Sequence, residues 1–135
     1  VNNYMVGLVI VSHSRMLAEG VVELAYEMAD KALHIIPAGG LEDGSIGTDA
    51  LRIMEALLVA DTGDGVLVLG DMGSSILSTQ IAIDLLEDEA LKQRVKISHA
   101  SLVEGAIIAA IQASIGDPLD EVFNATLQVS SFSKL

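Results

Sequence analysis

Hydrophobic positions along this chain follow two alternating rhythms. Residues 5–11 form an unbroken apolar run rich in β-branched side chains, which predicts a buried strand. Leu17, Val21, Leu24, Ala25 and Met28 then recur at helical spacing and predict a helix. Residues 33–37 are a second strand candidate, and the loop over residues 38–47 carries Gly39, Gly40, Gly44 and Gly47. Thr48 or Asp49 can cap a helix whose apolar face is Leu51, Met54, Leu57 and Leu58. A turn at residues 63–65 leads into a third strand at residues 66–69. Asp71-Met72-Gly73-Ser74-Ser75 follows, then a helix predicted to reach about Asp88. The pattern next predicts a strand over Val95–Ser98 and a helix over Leu102–Ser114 with Ile107 and Ile111 facing the core. Gly116-Asp117-Pro118 breaks that helix. Leu119, Val122, Phe123 and Thr126 return to helical spacing, and residues 129–132 end as a short strand or a loose end.

Regular alternation of strand and helix predicts an α/β fold, doubly wound, with a mainly parallel four-stranded sheet and helices on both faces. The C-terminal residues allow an extra edge strand. No internal repeat interrupts residues 1–135, which read as one domain. In such sheets, ligands sit beyond the carboxyl ends of the strands, where strand order switches. Two polar segments begin there: Ser12-His13-Ser14 after the first strand and residues 71–75 after the third. If those strands are neighbours, His13 and Asp71 face one crevice.

Composition narrows the function. Aromatic residues are only 3%, so the core must be aliphatic. A net charge of −12 argues against nucleic acid and against an anionic membrane surface. The chain has no cysteine, which excludes disulfides, thiolate metal sites and cysteine nucleophiles. No apolar run approaches the ~18 residues of a membrane span. No signal-peptide pattern opens the sequence, so a cytoplasmic protein is expected.

The chemistry centres on VIVSHSR, where His13 stands between two serines as the first strand ends. His13, His34 and His99 show no metal-ligand spacing, so no metal site is expected. Ser12 and Ser14 are adjacent to His13 and point away from it on an extended backbone. The nucleophile-elbow pattern is absent, although Ser74 or Ser75 with His13 and Asp71 resembles a triad. An aspartate receiver would place its reactive carboxylate where Asp71 lies, but the acidic pair needed for Mg²⁺ is missing after the first strand. No phosphate-loop or dinucleotide glycine pattern is present. A remaining possibility is that His13 is itself the nucleophile. It would need one free ring nitrogen, a carboxylate on the other, and donors for the incoming group. Asp71 can orient the ring, and Gly73, Ser74 and Ser75 at a helix start, with Ser14, can bind phosphate. Taken singly, His13 also reads as an exposed loop histidine and Asp71 as a helix cap. Arg15, Gly39 and Gly40 are candidate partner contacts. His99 ends the fourth strand as a backup candidate without an evident carboxylate.

Four motifs, VIVSHSR, GGLEDGSIGT, GDMGSS and LVEGA, resemble the DhaM family. These are the phosphotransfer subunits of phosphotransferase-dependent dihydroxyacetone kinase, of the mannose-type EIIA class. The order and spacing of the motifs match over nearly the whole chain. The resemblance implies that His13 accepts a phosphoryl group from phospho-HPr on Nε2, with Nδ1 turned to Asp71. It implies transfer to ADP held with Mg²⁺ on a DhaL subunit, so this chain itself binds no cofactor. The resulting ATP would phosphorylate dihydroxyacetone on DhaK. A homodimer is the usual family state, with a terminal strand exchanged in the mannose branch. The HPr-like and EI-like domains of some members find no room in 135 residues, so separate HPr is expected. A mannose-type EIIA domain passing phosphate to a transporter EIIB, and a non-catalytic doubly wound binding module, are the competing readings.

Overall fold

The first strand, β1 (Gly7–Ser12), is buried along its whole length, as a central strand covered on both faces must be. It pairs in parallel with β2 (Ile35–Gly39) on one side and β3 (Val66–Gly70) on the other, and β3 pairs with β4 (Val95–Ser98). The sheet order is β2-β1-β3-β4, so strand order reverses between β1 and β3. This computed structural model describes residues 5–131 and 133–134.

The period-two geometry of the strands builds two cores. Leu8, Ile10, Leu67 and Leu69 point to one face and pack against α1 (Arg15–Tyr26), α5 (Leu102–Ser114) and α6 (Leu119–Thr126). Val9, Val11, Val66 and Val68 point to the other and meet α2 (Ala50–Ala60), α3 (Gly73–Leu85) and the short α4 (Glu89–Gln93). The doubly wound parallel architecture expected from the sequence is therefore present. Asp61, just after α2, accepts a forked pair of bonds from Arg94 at 3.0 and 2.7 Å, tying the end of that helix to the start of β4.

Several helical details differ from the apolar pattern. In α1 the buried residues are Ala18, Val21 and Ala25, while Leu17 and Leu24 are exposed and Met28 lies beyond the helix end. In α2, Ile53, Ala56, Leu57 and Ala60 are buried, and Leu51 and Leu58 are exposed. In α5 the core face is Gly105, Ala106, Ala109, Ala110 and Ala113, with Ile107 and Ile111 only half-buried. The cause is complementarity of size. The strands supply large side chains, so the helices lie close and present small ones. The helix expected to reach Asp88 ends at Leu85, and Asp88 caps α4 by accepting from the Ala90 and Leu91 N–H groups. No extra C-terminal strand forms among the described residues: Val129–Ser131 is a 3₁₀ turn. Phe132, the last residue of that strand candidate, lies outside the described residues.

At the sheet border, β2 carries Pro37 opposite Ile10. A proline has no N–H for a ladder, so it is confined to an edge strand with its nitrogen turned outward. The position fits β2, which has β1 on one side only.

Candidate active site

The switch point between β1 and β3 sets the site. Val11 pairs with Gly70, so the residues that follow each strand emerge side by side. The chain after β1 is Ser12-His13-Ser14, and the chain after β3 is Asp71-Met72-Gly73. The Asp71 N–H donates to the Val11 carbonyl at 3.2 Å, which fixes the spacing of the two segments.

Asp71 is the hub. Its Oδ2 accepts from the Ser12 hydroxyl at 2.8 Å and from the His13 backbone N–H at 3.0 Å. Its Oδ1 lies 3.0 Å from His13 Nδ1. A carboxylate can only accept, so Nδ1 carries the proton and Nε2 carries the lone pair. The Ser74 hydroxyl lies 2.6 Å from Nε2 and donates to it. Burial pushes the Asp71 carboxyl up. The bonds from the His13 N–H, the Ser12 hydroxyl and the His13 ring outweigh it and hold the carboxyl below its ordinary value. The imidazole is 18% exposed and the carboxylate 12%, so both are largely but not wholly shielded from solvent.

Two helices begin at this point. α1 starts at Arg15, two residues after His13, and α3 starts at Gly73, two after Asp71. Their N-terminal dipole ends favour negative charge beside Nε2. Among the described residues, the Gly73 and Ser74 N–H groups have no partner. An anion on Nε2 would thus meet two free backbone donors and a hydroxyl that can rotate from the ring nitrogen to it.

Not every residue singled out in the sequence faces this point. Ser75 is fully buried: its hydroxyl donates to the Met72 carbonyl at 2.6 Å and accepts from the Met72 N–H at 3.3 Å. It shapes the start of α3, and of the two serines it is Ser74 whose hydroxyl reaches the ring. Gly70 permits this fold-back, since a β-carbon there would lie 2.3 Å from Ser75 Oγ. The Ser14 hydroxyl is engaged as the cap of α1, accepting from the Leu17 N–H at 3.1 Å. Gly39 and Gly40 are buried. A β-carbon on Gly39 would lie 2.6 Å from the Ser14 carbonyl, so this residue serves close packing against α1. The Gly40 N–H donates to the Ser12 carbonyl at 3.2 Å, a second internal role. Arg15 is exposed and pairs with Glu19 at 2.9 Å. His99 is exposed on a cleft of about 250 Å³ that adjoins the site through Asp71, Met72 and Gly73 and is lined beyond them by Ser101.

Sequence reading missed Ser12, whose hydroxyl reaches Asp71 although its side chain leaves the strand on the other side from His13. The available signal was a hydroxyl ending an otherwise apolar buried run. It also missed the role of the glycine loop. The Gly47 N–H donates to the His13 carbonyl at 2.9 Å, and Thr48 Oγ1 bonds Ser78 Oγ on α3 at 2.6 Å. Among the described residues, no group of three or more His, Cys, Asp or Glu is placed to hold a metal ion.

A family model described as EIIA-man, the fructose IIA component of the PTS system, matches residues 7–123. The chain belongs to the EIIA-man family. Within it, the chain sits with the DhaM subunits. A relative from Providencia stuartii (strain MRSN 2154), named PEP-dependent dihydroxyacetone kinase, phosphoryl donor subunit DhaM, is 42% identical over 127 residues, or 92% of this chain. The chain spans only 26% of that protein's length. The second DhaM subunit of Listeria innocua serovar 6a is 36% identical over 125 residues, covering 93% of this chain and 99% of the relative. A crystal structure of a protein of unknown function superposes with a TM-score of 0.79 at 34% identity, covering 88% of this chain and 90% of the other.

Proposed function

We propose that this chain is a phosphohistidine carrier, the phosphoryl donor component of a phosphoenolpyruvate-dependent dihydroxyacetone kinase. The single observation that carries the reading is the His13 ring, held by Asp71 at Nδ1 so that the Nε2 lone pair is left to an exposed, rotatable Ser74 hydroxyl. That is the state a nitrogen nucleophile requires.

In the first step, Nε2 attacks the phosphorus of phospho-HPr. The Nε2–P bond forms as the donor's P–N bond breaks, and that electron pair returns to the donor imidazole. The His13 ring becomes cationic, its Nδ1–H stays on Asp71, and the carboxylate neutralises the new charge. The Ser74 hydroxyl and the free N–H groups of Gly73 and Ser74 turn to the phosphoryl oxygens. In the second step, a terminal phosphate oxygen of ADP, held with Mg²⁺ by a DhaL subunit, attacks the same phosphorus. The Nε2–P bond breaks, its electron pair returns to the ring, and ATP forms for dihydroxyacetone bound on DhaK. Backbone donors already in place at the group being transferred serve both directions, and only the Ser74 hydroxyl has to rotate. A cytoplasmic location would put the chain beside these partners. Among the described residues, no helix is long and apolar enough to cross a membrane.

The test is peptide-level mass analysis after incubation with EI, HPr and phosphoenolpyruvate, followed by addition of nucleotide-loaded DhaL. An acid-labile phosphate on His13, absent in His13→Ala and discharged by DhaL with ADP, is expected. A phosphate discharged only by a transporter EIIB domain would reassign the acceptor. No phosphate on His13 would end the carrier reading.

A further inference from the structure

We infer that Ser12 is a positioning residue for phosphoryl transfer at His13, acting through Asp71. The inference rests on the carrier reading above and deepens it. Ser12 is the last residue of β1 and is fully buried, at the end of a strand whose other side chains are apolar or absent. A buried hydroxyl costs stability unless it is bonded, so its presence calls for partners. It has two. It donates to Asp71 Oδ2 at 2.8 Å and accepts from the Ser14 N–H at 3.0 Å.

The consequence lies in the torsion of the aspartate. The terminal torsion of an Asp side chain is broad, so a carboxylate with one anchor swings readily. Asp71 has two donors on Oδ2, the Ser12 hydroxyl and the His13 N–H, and these leave Oδ1 aimed at Nδ1. Both donors come from consecutive residues, and the second is the backbone of the histidine being oriented. Ser12 thereby locks carboxylate, ring and backbone into one unit, and its bond from the Ser14 N–H extends that unit to the residue that caps α1. Ser12 touches neither Nε2 nor the group it would carry. Its effect passes through the orientation and tautomer of the ring.

The test is a double-mutant cycle. Phosphoryl acceptance from phospho-HPr is timed for wild type, Ser12→Ala, Asp71→Ala and the double variant. In parallel, long-range ¹H–¹⁵N spectra of the His13 ring report the Nδ1–H and Nε2–H tautomers. Ser12→Ala should slow acceptance about fivefold, the factor one ordinary hydrogen bond supplies. It should change little when Asp71 is already Ala. The ring spectra should show the Nε2–H tautomer gaining population. Ser12→Cys, close in size with a weaker donor, should fall between wild type and Ser12→Ala, and it serves as the variant if Ser12→Ala does not fold. Equal losses in both backgrounds would overturn the inference, and so would an unchanged tautomer ratio. If wild type takes no phosphate on His13, the carrier reading fails. The tautomer spectra then still decide whether Ser12 positions the ring.

Discussion

Replacing Asp71 by Asn isolates the tautomer of His13 with almost no change in shape. The carboxamide has one accepting oxygen and one donating nitrogen, whereas Asp71 accepts on both sides. In one orientation the amide oxygen takes the place of Oδ2 and keeps the bonds from Ser12 and the His13 N–H, now 2.8 and 3.0 Å. The NH₂ group then faces Nδ1 and must donate to it. The ring proton is driven to Nε2, and the lone pair needed for attack is lost. The opposite orientation keeps the right tautomer but points NH₂ at two donors. Each bond sacrificed is worth about 1 kcal/mol net, so the choice between orientations is roughly 2–3 kcal/mol. At about 1.4 kcal/mol per factor of ten, the competent ring falls to on the order of one part in 30 to 140. Loss of the carboxylate charge beside a ring turning cationic deepens the defect, so acceptance should drop by about 10²-fold or more. The assay is rapid-quench phosphorylation by phospho-HPr with acid-labile phosphate counted, beside ring ¹⁵N spectra. An Asp71→Asn protein within about threefold of wild type would refute the reasoning, and so would one that keeps a dominant Nδ1–H ring.

Ser74→Ala removes the hydroxyl at Nε2 from an exposed position, so folding stability should hold while phosphoryl acceptance from phospho-HPr slows about tenfold, read by rapid-quench counting of acid-labile phosphate. Ser75→Ala should do the reverse, costing about 1–2 kcal/mol in urea denaturation because the Met72 N–H and carbonyl lose their buried partner. Gly70→Ala places a β-carbon against Ser75 Oγ and should destabilise by about 1–3 kcal/mol, visible as a lower Tm. The bond from Arg94 holds the Asp61 carboxyl below its ordinary value against the opposing effect of burial. A depressed carboxyl contributes stability above its unfolded pKa of about 3.9 and loses it as pH falls through the folded value. Asp61→Asn should therefore be less stable than wild type at pH 7 by about 1 kcal/mol, and the gap should close below about pH 4 in urea titrations.

The sheet was legible because strand runs are short, apolar and bounded by turns, and a parallel sheet buries both faces of each run. Helix faces were harder. A pattern of large apolar residues marks Leu17, Leu24, Leu51 and Leu58, but these are exposed, and Ala18, Ala25, Ala56 and Ala60 share the inward faces with Val21, Ile53 and Leu57. Alanine carries little signal on its own, and only knowledge of the large residues opposite it reveals which side is inward. At the site, His13 and Asp71 could be paired from strand order alone. Ser74 and Ser75 could not be told apart, because one helical step turns a side chain by about 100° and sends one hydroxyl to the ring and the other into the interior. Ser12 was hidden by the same geometry that makes it useful, since its route to Asp71 runs through a neighbouring strand and not along the chain.

Pro37 gives the two borders of the sheet different characters. An exposed strand edge is a row of unmet donors and acceptors that any extended peptide can zip onto. On the β2 border that row is interrupted at its middle residue, where a visiting strand would find a ring in place of an N–H. Accidental strand pairing is thus discouraged on that side of the molecule, one strand away from His13. A change as mild as Pro37→Val would leave the interior untouched and still convert a blunt margin into an adhesive one.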